Sequence, residues 1–394
     1  MFRSATMRCG LILVLSLAAT FLGAPGAQAQ TNSCHACGHI NPPNLIICEE
    51  CGSWLEDRDG EITGEATLGV AIANANHKFT VRSLFNPEAN VEFDYDTTAI
   101  AAGFTHYFDG RYQHSRVPIG FVPFNDRSSK ISGAFGYTLA SEQLAGRGVV
   151  LKDEYKRLSG GVGFEYYGRG DYPNFIEARI SYSRQTRDRT SSPDWPADTN
   201  DWLSEEGEVT LASGYQNTKI KAGMMVTGHT SGFEGGSTNE GQYWEFRPFV
   251  EYMINPRVMI LTGYTSRPEN DDFAGWWRVV PVGLRYINPE SWFEMDQTVA
   301  YTSYDWGSQI DIALGLRRYY GDNELFVRPV WSHFDVQGRD VSGDLWRVML
   351  GGSLYSKRQF EITPTVTFSW GEHPSYENSD LGGTRFSLAF KALM

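Results

Sequence analysis

Short turn signals recur at nearly constant spacing along the C-terminal half of this 394-residue chain. They stand about 33 to 38 residues apart, at Asn217, Asn255-Pro256, Asn288-Pro289, Gly321-Asp322-Asn323 and Ser356-Lys357. Longer polar segments lie between them, as at residues 229–240, 266–272, 335–343 and 371–382. Each interval has the length of two strands, one longer loop and one tight turn. The spacing therefore predicts a series of antiparallel hairpins.

The segments between turns alternate apolar and polar residues with the period of a β-strand. In residues 310–316, Ile310, Ile312, Leu314 and Leu316 share one face, and Asp311 lies on the other. Residues 360–370 place Phe, Ile, Pro, Val, Phe and Trp on one face and Glu, Thr and Ser on the other. A helix would scatter these residues around its circumference.

Alternating short turns and long loops are typical of an outer-membrane barrel, with the turns on the periplasmic side. We therefore predict an all-β transmembrane antiparallel β-barrel over residues 62–394. Hairpins counted back from the C-terminus give sixteen strands from about Val91, and residues 62–75 and 77–85 look like a further pair. Eighteen strands are preferred and sixteen are the alternative. A soluble β-sandwich or propeller is the competing architecture.

The last strand has a pattern that resembles the C-terminal strand of outer-membrane barrel proteins. Phe386, Leu388, Phe390 and Ala392 alternate on one face and lead to Met394. The family usually ends in Phe or Trp, so Met394 departs from it. The resemblance implies assembly into a bacterial outer membrane as a porin-like barrel, without pointing to one porin family.

The N-terminus reads as a secretory signal over residues 1–29. Arg3 and Arg8 precede an apolar run, Leu11–Leu22, which is too short for a membrane-spanning helix. Ala27-Gln28-Ala29 supplies the small residues for cleavage before Gln30. Loss of the two arginines takes the net charge from −13 to −15. This acidic balance argues against a nucleic-acid partner, which requires a basic patch.

Residues 30–60 form a predicted zinc ribbon and acidic linker. Cys34-x-x-Cys37 and Cys48-x-x-Cys51 are separated by ten residues, a spacing that suits four thiolates around one Zn²⁺. With Gly38, Gly52, Asn41-Pro42 and Leu55, the stretch resembles the short zinc-ribbon family. The resemblance covers residues 34–55 and implies a closed structural metal site.

The compartment leaves a second interpretation of these cysteines open. An oxidising periplasm favours disulfides, and four cysteines allow three pairings. We favour structural zinc, because glycine and proline occupy the positions that a ribbon needs. The ribbon should then lie on the periplasmic side of the outer membrane, where a periplasmic protein partner is a third hypothesis for its role.

If the apolar faces meet lipid, the opposite faces define a lumen with both signs of charge. The predicted lumen acids and bases are Glu165, Glu177, Glu245, Glu251, Glu294, Asp296, Asp311 and Glu361, with Arg179, Lys219, Lys221, Arg247, Arg285, Arg317, Arg328, Arg347, Arg385 and Lys391. Inward charges need water or partners, so they indicate a hydrated pore or an ion-pair network. At 16–18 strands the interior should exceed what side chains can fill.

The sequence offers one weak catalytic element in the barrel. His229-Thr230-Ser231 resembles the His-x-Ser element of outer-membrane lipid hydrolases, in which His activates Ser for acyl transfer. We identify no third residue that would orient His229, so no catalytic or cofactor-binding residue is assigned. The leading prediction is a non-enzymatic channel for passive diffusion of small polar solutes through outer-membrane lipid. A hydrolase and a structural or docking barrel are the alternatives.

Overall fold

The structure is a computed structural model that describes residues 32–33, 40–41, 64–83, 86–108, 121, 124, 127–146, 149–168, 174–191, 202–234, 241–267, 275–288, 291–304, 307–320, 323–336, 341–356, 360–372 and 380–393. The predicted signal segment and the four predicted zinc ligands lie outside these residues. A short ladder pairs β1 (Asn32–Ser33) with β2 (Ile40–Asn41) ahead of the main sheet. No described residue belongs to a helix long and apolar enough to cross a membrane.

All longer strands of the described chain belong to one closed antiparallel barrel. Each pairs with its neighbours in sequence, and the last pairs with the first. In chain order these strands are β3 (Gly64–Ser83), β4 (Asn86–Tyr107), β5 (Lys130–Gly146), β6 (Val149–Tyr167), β7 (Asn174–Ser191), β8 (Trp202–Gln216), β9 (Ile220–Glu234), β10 (Gly241–Asn255), β11 (Val258–Arg267), β12 (Trp276–Asn288), β13 (Phe293–Tyr304), β14 (Gly307–Tyr320), β15 (Asn323–Val336), β16 (Val341–Ser356), β17 (Phe360–Gly371) and β18 (Asp380–Leu393).

The closure of the sheet removes its edges. β18 pairs with β3 in unbroken register from Asp380 opposite Lys78 to Leu393 opposite Glu65. Every barrel strand therefore has two partners for its backbone N–H and C=O groups, as a sheet surrounded by lipid requires. The strand number is even, so the first and last strands begin and end at the same rim.

The barrel has sixteen strands in the described chain, which confirms the alternative count and makes the preferred eighteen wrong. Residues 62–75 and 77–85 do not form a pair, because Gly64–Ser83 is one continuous strand. From Val91 onward the described chain has fifteen barrel strands and not the predicted sixteen. Asn76 lies within it, paired with Gly382 and Asp94. Its side-chain amide donates to the carboxylates of Glu92 and Asp94 on β4. A cross-strand partner thus keeps a typical turn residue inside a strand.

Alternate residues of each strand face opposite sides of the wall, and β7 shows the contrast. Ile176, Ile180 and Tyr182 are 48%, 61% and 49% exposed, whereas Phe175 is fully buried on the other face. The same outward exposure recurs around the barrel, at Leu68, Ile72, Phe104, Phe135, Leu158, Val162, Leu211, Trp244, Val282, Leu325, Leu354, Phe360 and Phe386. A soluble sandwich or propeller would bury this face in a core.

The outward apolar face ends partway along β3. Leu68 and Ile72 are exposed apolar residues, and Asn74 and Lys78 continue the same face as polar ones. Lys78 Nζ lies 2.8 Å from Glu92 Oε1 on β4. This hydrogen-bonded ion pair raises the pKa of Lys78 and lowers the pKa of Glu92. The strands thus extend beyond the apolar band into a polar rim.

The strand ends that flank the predicted short turns lie at the rim opposite this polar extension, which we call the short-turn end. Asparagine side chains close the turns that the structure describes: Asn217 Oδ1 accepts from the N–H groups of Lys219 and Ile220, both at 2.8 Å. Asn255 Oδ1 accepts from Arg257 N–H at 2.8 Å in the next turn. Such Asx contacts explain why asparagine marks these positions in the sequence.

Candidate functional site

The lumen carries the charges that alternation assigned to it. Of the eighteen predicted residues, seventeen lie on barrel strands and on the face opposite the exposed apolar side chains. Lys219 is the exception, because it lies in the turn between β8 and β9. Many of the other seventeen form ion pairs with one another between nearby strands.

One ion-pair network covers the wall near the short-turn end of β12–β16. Glu294 accepts hydrogen bonds from Arg285 at 3.2 Å and from the Tyr319 hydroxyl at 3.0 Å. Arg317 lies 3.7 Å from the carboxylates of both Glu294 and Glu324. Both carboxylates are nearly buried, and their partners satisfy them, as a buried charge requires.

A second cluster surrounds Lys221 on the facing wall. Its ammonium group is buried and forms an ion pair with Glu177. The nitrogen also lies 4.4 Å from the ring centroid of Phe175, within cation–π range. The hydroxyl of Tyr167 donates to Glu177 at 3.1 Å and to Glu165 at 2.8 Å. The arrangement holds Lys221 in the wall, where it does not narrow the lumen.

Sequence reasoning missed Arg278, which anchors a third network nearer the other rim. Arg278 donates to Asp311 at 2.7 Å and to the Thr302 hydroxyl at 3.2 Å. Gln309 and Ser332 donate to the same Asp311 carboxylate at 2.6 and 2.7 Å. The register on β12 shifts between Val279 and Val282. That break in alternation, beside a proline, hid the inward orientation of Arg278.

The described residues of the connection between β4 and β5 include Phe121 and Phe124, which lie at the short-turn end of the lumen. Phe121 and Phe124 are buried against three inward-facing residues of β10–β12, namely Met253, Met259 and Ile287. The N–H of Phe121 donates to the carbonyl oxygen of Pro256 at 2.7 Å. Four strands separate β5 from β10 around one side of the ring, and seven separate β4 from β12 around the other. The contacts therefore lie on the wall opposite the start of the connection.

The same connection places a cation inside the barrel. Arg127 Nη2 lies 3.7 Å from Glu251 Oε2 on β10. The guanidinium carbon lies 4.8 Å from the ring centroid of Phe124 and 6.0 Å from that of Tyr167. Sequence reasoning assigned no role to this segment. The sequence signal that could have revealed it is the aromatic pair in Phe121-Val-Pro-Phe124, because exposed aromatic pairs are unusual in a solvated loop and indicate a contact surface.

His229 and Ser231 lie on the lumen face of β9, and Gly228 and Thr230 face outward. The imidazole stacks on Tyr243 at 4.4 Å between centroids. Its nitrogens lie 3.7 Å from Glu208 and 3.9 Å from Glu245. Ser231 Oγ donates to the backbone oxygen of Gly241 at 3.4 Å, and no His229–Ser231 hydrogen bond occurs among the described contacts. The pair thus faces the lumen and not the lipid side.

A cavity of 880 Å³ runs along the lumen wall formed by β3–β10. Small side chains dominate its lining, including Gly103, Ser132, Gly136, Ser159, Gly161 and Ser181. Arg157, Arg179, Glu206, Glu208 and His229 supply its charges. The combination leaves space for hydrated solutes beside polar groups. Within the described residues, no cluster of His, Cys, Asp or Glu could hold a metal ion.

No protein-family model and no curated protein sequence matches the chain. Among solved structures, the chain is similar to a deltaS2S3 mutant of the TodX monoaromatic hydrocarbon channel, at 8% identity and a TM-score of 0.48, over 85% of this chain and 91% of that one. It is also similar to OccK7 (OpdD) of Pseudomonas aeruginosa, at 8% identity and a TM-score of 0.41, over 83% and 98% of the two chains.

Proposed function

We propose that this protein is an outer-membrane channel for passive diffusion of small polar solutes. The observation that carries the proposal is the division of one closed sixteen-stranded wall into an exposed apolar outside and a charged inside. An apolar exterior suits lipid, and a charged interior requires water. A barrel of sixteen strands is wider than its inward side chains can fill.

The orientation in the membrane follows from the two rims. Short turns face the periplasm in barrels of this kind, so the described residues of the β4–β5 connection lie at the periplasmic mouth. Phe121, Phe124 and Arg127 then form a constriction at that mouth. Solutes pass beside this constriction, along the wall of small residues that lines the 880 Å³ cavity.

The N-terminal ribbon remains a separate proposal, with structural Zn²⁺ held by Cys34, Cys37, Cys48 and Cys51. Its support is the spacing and the glycine and proline positions in the sequence. The paired residues of β1 and β2 lie on either side of the first Cys-x-x-Cys pair in the sequence. We expect one zinc per chain by metal analysis of the purified protein. Two disulfides without metal would show the zinc assignment wrong.

Solute entry into liposomes tests the channel. Vesicles containing the folded protein should swell in isotonic solutions of small sugars, at rates that fall as solute size increases. A variant lacking residues 30–60 serves as the control for blockage by the ribbon. If neither form admits solute while both migrate as folded barrels, the channel proposal fails.

A lipid hydrolase is the alternative that the His229-Thr230-Ser231 element raises. Both side chains face the lumen, so lipid would have to enter it to meet them. Lipase activity in the parent and its loss in Ser231→Ala would support this alternative over the channel. A docking barrel is the other alternative, tested by capture of a periplasmic protein on the ribbon with and without chelator.

A further inference from the structure

Four arginines in the lumen have no ionic partner among the residues that the structure describes. Arg179, Arg247, Arg347 and Arg385 lie on β7, β10, β16 and β18, and all four are exposed. Each stands within the membrane-spanning part of its strand, next to outward-facing residues. Their guanidinium groups are therefore accessible to solute.

Three carboxylates of the lumen are placed differently. The side chains of Glu294, Glu324 and Glu361 are only 10% to 12% exposed, and each contacts an arginine or a lysine. The glutamate side chain is shorter than that of its arginine or lysine partner, so the partner covers the carboxylate and leaves little of its charge accessible from the lumen. At these three sites the more exposed partner is the cation.

Three of the four arginines lie at similar heights, and Arg179 lies nearer the short-turn end. Counted from the short-turn end of their strands, Arg247 and Arg385 are eight residues up, Arg347 is nine and Arg179 is five. A rise of about 3.3 Å per residue and a tilt of about 40° place the first three roughly 20–23 Å from that end. Arg179 lies at about 13 Å on the same basis.

Two glutamates in the same part of the lumen carry negative charge that offsets these arginines. Glu208 and Glu245 flank His229 and have no lysine or arginine partner in the described chain. Four free arginines against two such glutamates leave a net positive charge in the middle of the lumen. Guanidinium groups bind carboxylates in a bidentate manner, so the charge favours solutes of that class.

We infer that the channel is selective for small anions, carboxylates among them, through Arg179, Arg247, Arg347 and Arg385. The inference rests on the proposed channel function. Charges about 10 Å from the axis act through water and are screened over about 10 Å at 0.1 M salt. An excess of two positive charges then favours chloride over potassium roughly threefold.

The test is the reversal potential of the full chain in a planar bilayer under a KCl gradient. The parent should prefer chloride. The quadruple Arg→Gln variant leaves Glu208 and Glu245 in excess, so the permeability ratio should fall roughly eightfold and the preference should reverse to potassium. A quadruple Arg→Lys variant, which keeps the charge, should retain the parent's preference.

The matched control removes four cations from the outer face of the polar rim, Lys78, Lys152, Lys156 and Arg184, all of which pair with acids there. It should keep the preference for chloride. A conducting parent that prefers potassium overturns the inference and leaves the channel standing. A chloride preference that persists in the Arg→Gln variant overturns the assignment to these arginines. A folded parent that carries no current overturns the channel itself.

Discussion

The substitution Ile180→Arg on β7 should destabilise the barrel far more than the neighbouring substitution Ser181→Arg. Ile180 is 61% exposed on the outer face, and Ser181 lies on the lumen face between Gly161 and Glu208 of the flanking strands. Ile180→Arg places a cation in lipid. Ser181→Arg places a cation in the lumen, beside Gly161 and Glu208.

The magnitude follows from the depth of the site. Ile180 is six residues from the start of β7 at Asn174, which is about 15 Å along the membrane normal for a strand tilted by about 40°. That is near the middle of an apolar band about 25 Å tall. Ile180→Arg should therefore cost about 2–4 kcal/mol of folding free energy. Ser181→Arg should cost less than about 1 kcal/mol, because its charge remains hydrated.

Denaturant titration of the protein folded in lipid vesicles measures both losses, with tryptophan fluorescence as the signal. The slope of free energy against denaturant should stay constant, so that shifts of the midpoint report stability. Equal losses for the two variants, or a larger loss for Ser181→Arg, would refute the assignment of the faces.

Three further perturbations probe the packing. Phe124→Ala should lose about 3–5 kcal/mol of local packing, and limited trypsin digestion of the folded protein should then cleave the β4–β5 connection faster. Gly214→Val should block folding, since a Cβ there meets the backbone of Ala222 on β9, whereas Gly232→Val should fold normally because its Cβ meets no atom within 4 Å; heat-modifiable gel migration distinguishes the two. Glu294→Gln leaves Arg285 and its other donors with a weaker acceptor, and should cost about 1–3 kcal/mol by denaturant titration.

The regular half of the barrel could be predicted because its turns carry their own chemistry. Asn217 and Asn255 close their turns with side-chain hydrogen bonds, so the residue type and the turn coincide. Alternation then assigned seventeen of eighteen charged residues to the correct face. Both signals are local, and the closed sheet preserves them.

One of the two surplus strands in the preferred count arose because a local turn signal was overridden by a tertiary contact. Asn76 resembles a turn residue, yet Glu92 and Asp94 on β4 hold its amide inside β3. Such a contact joins residues that only the folded sheet brings together. A single sequence does not show it.

The contacts of Phe121 and Phe124 with the far wall were missed for a related reason. Phe121 and Phe124 have no periodic neighbours, and their partners Met253, Met259 and Ile287 are more than a hundred residues away. The pairing state of the arginines was equally hidden. Alternation places Arg179 and Arg285 on the same face, but only the structure shows that Arg285 binds Glu294 and that Arg179 has no ionic partner in the described chain.

The central claim is that a water-filled path crosses this barrel and narrows at Phe121 and Phe124. Single-channel conductance in a planar bilayer tests this claim most directly. The parent should show discrete current steps that are linear in voltage. The double variant Phe121→Ala/Phe124→Ala should show larger steps, because the constriction has lost its anchor. Bilayers that stay silent with both proteins, although each is folded and inserted, would contradict the claim.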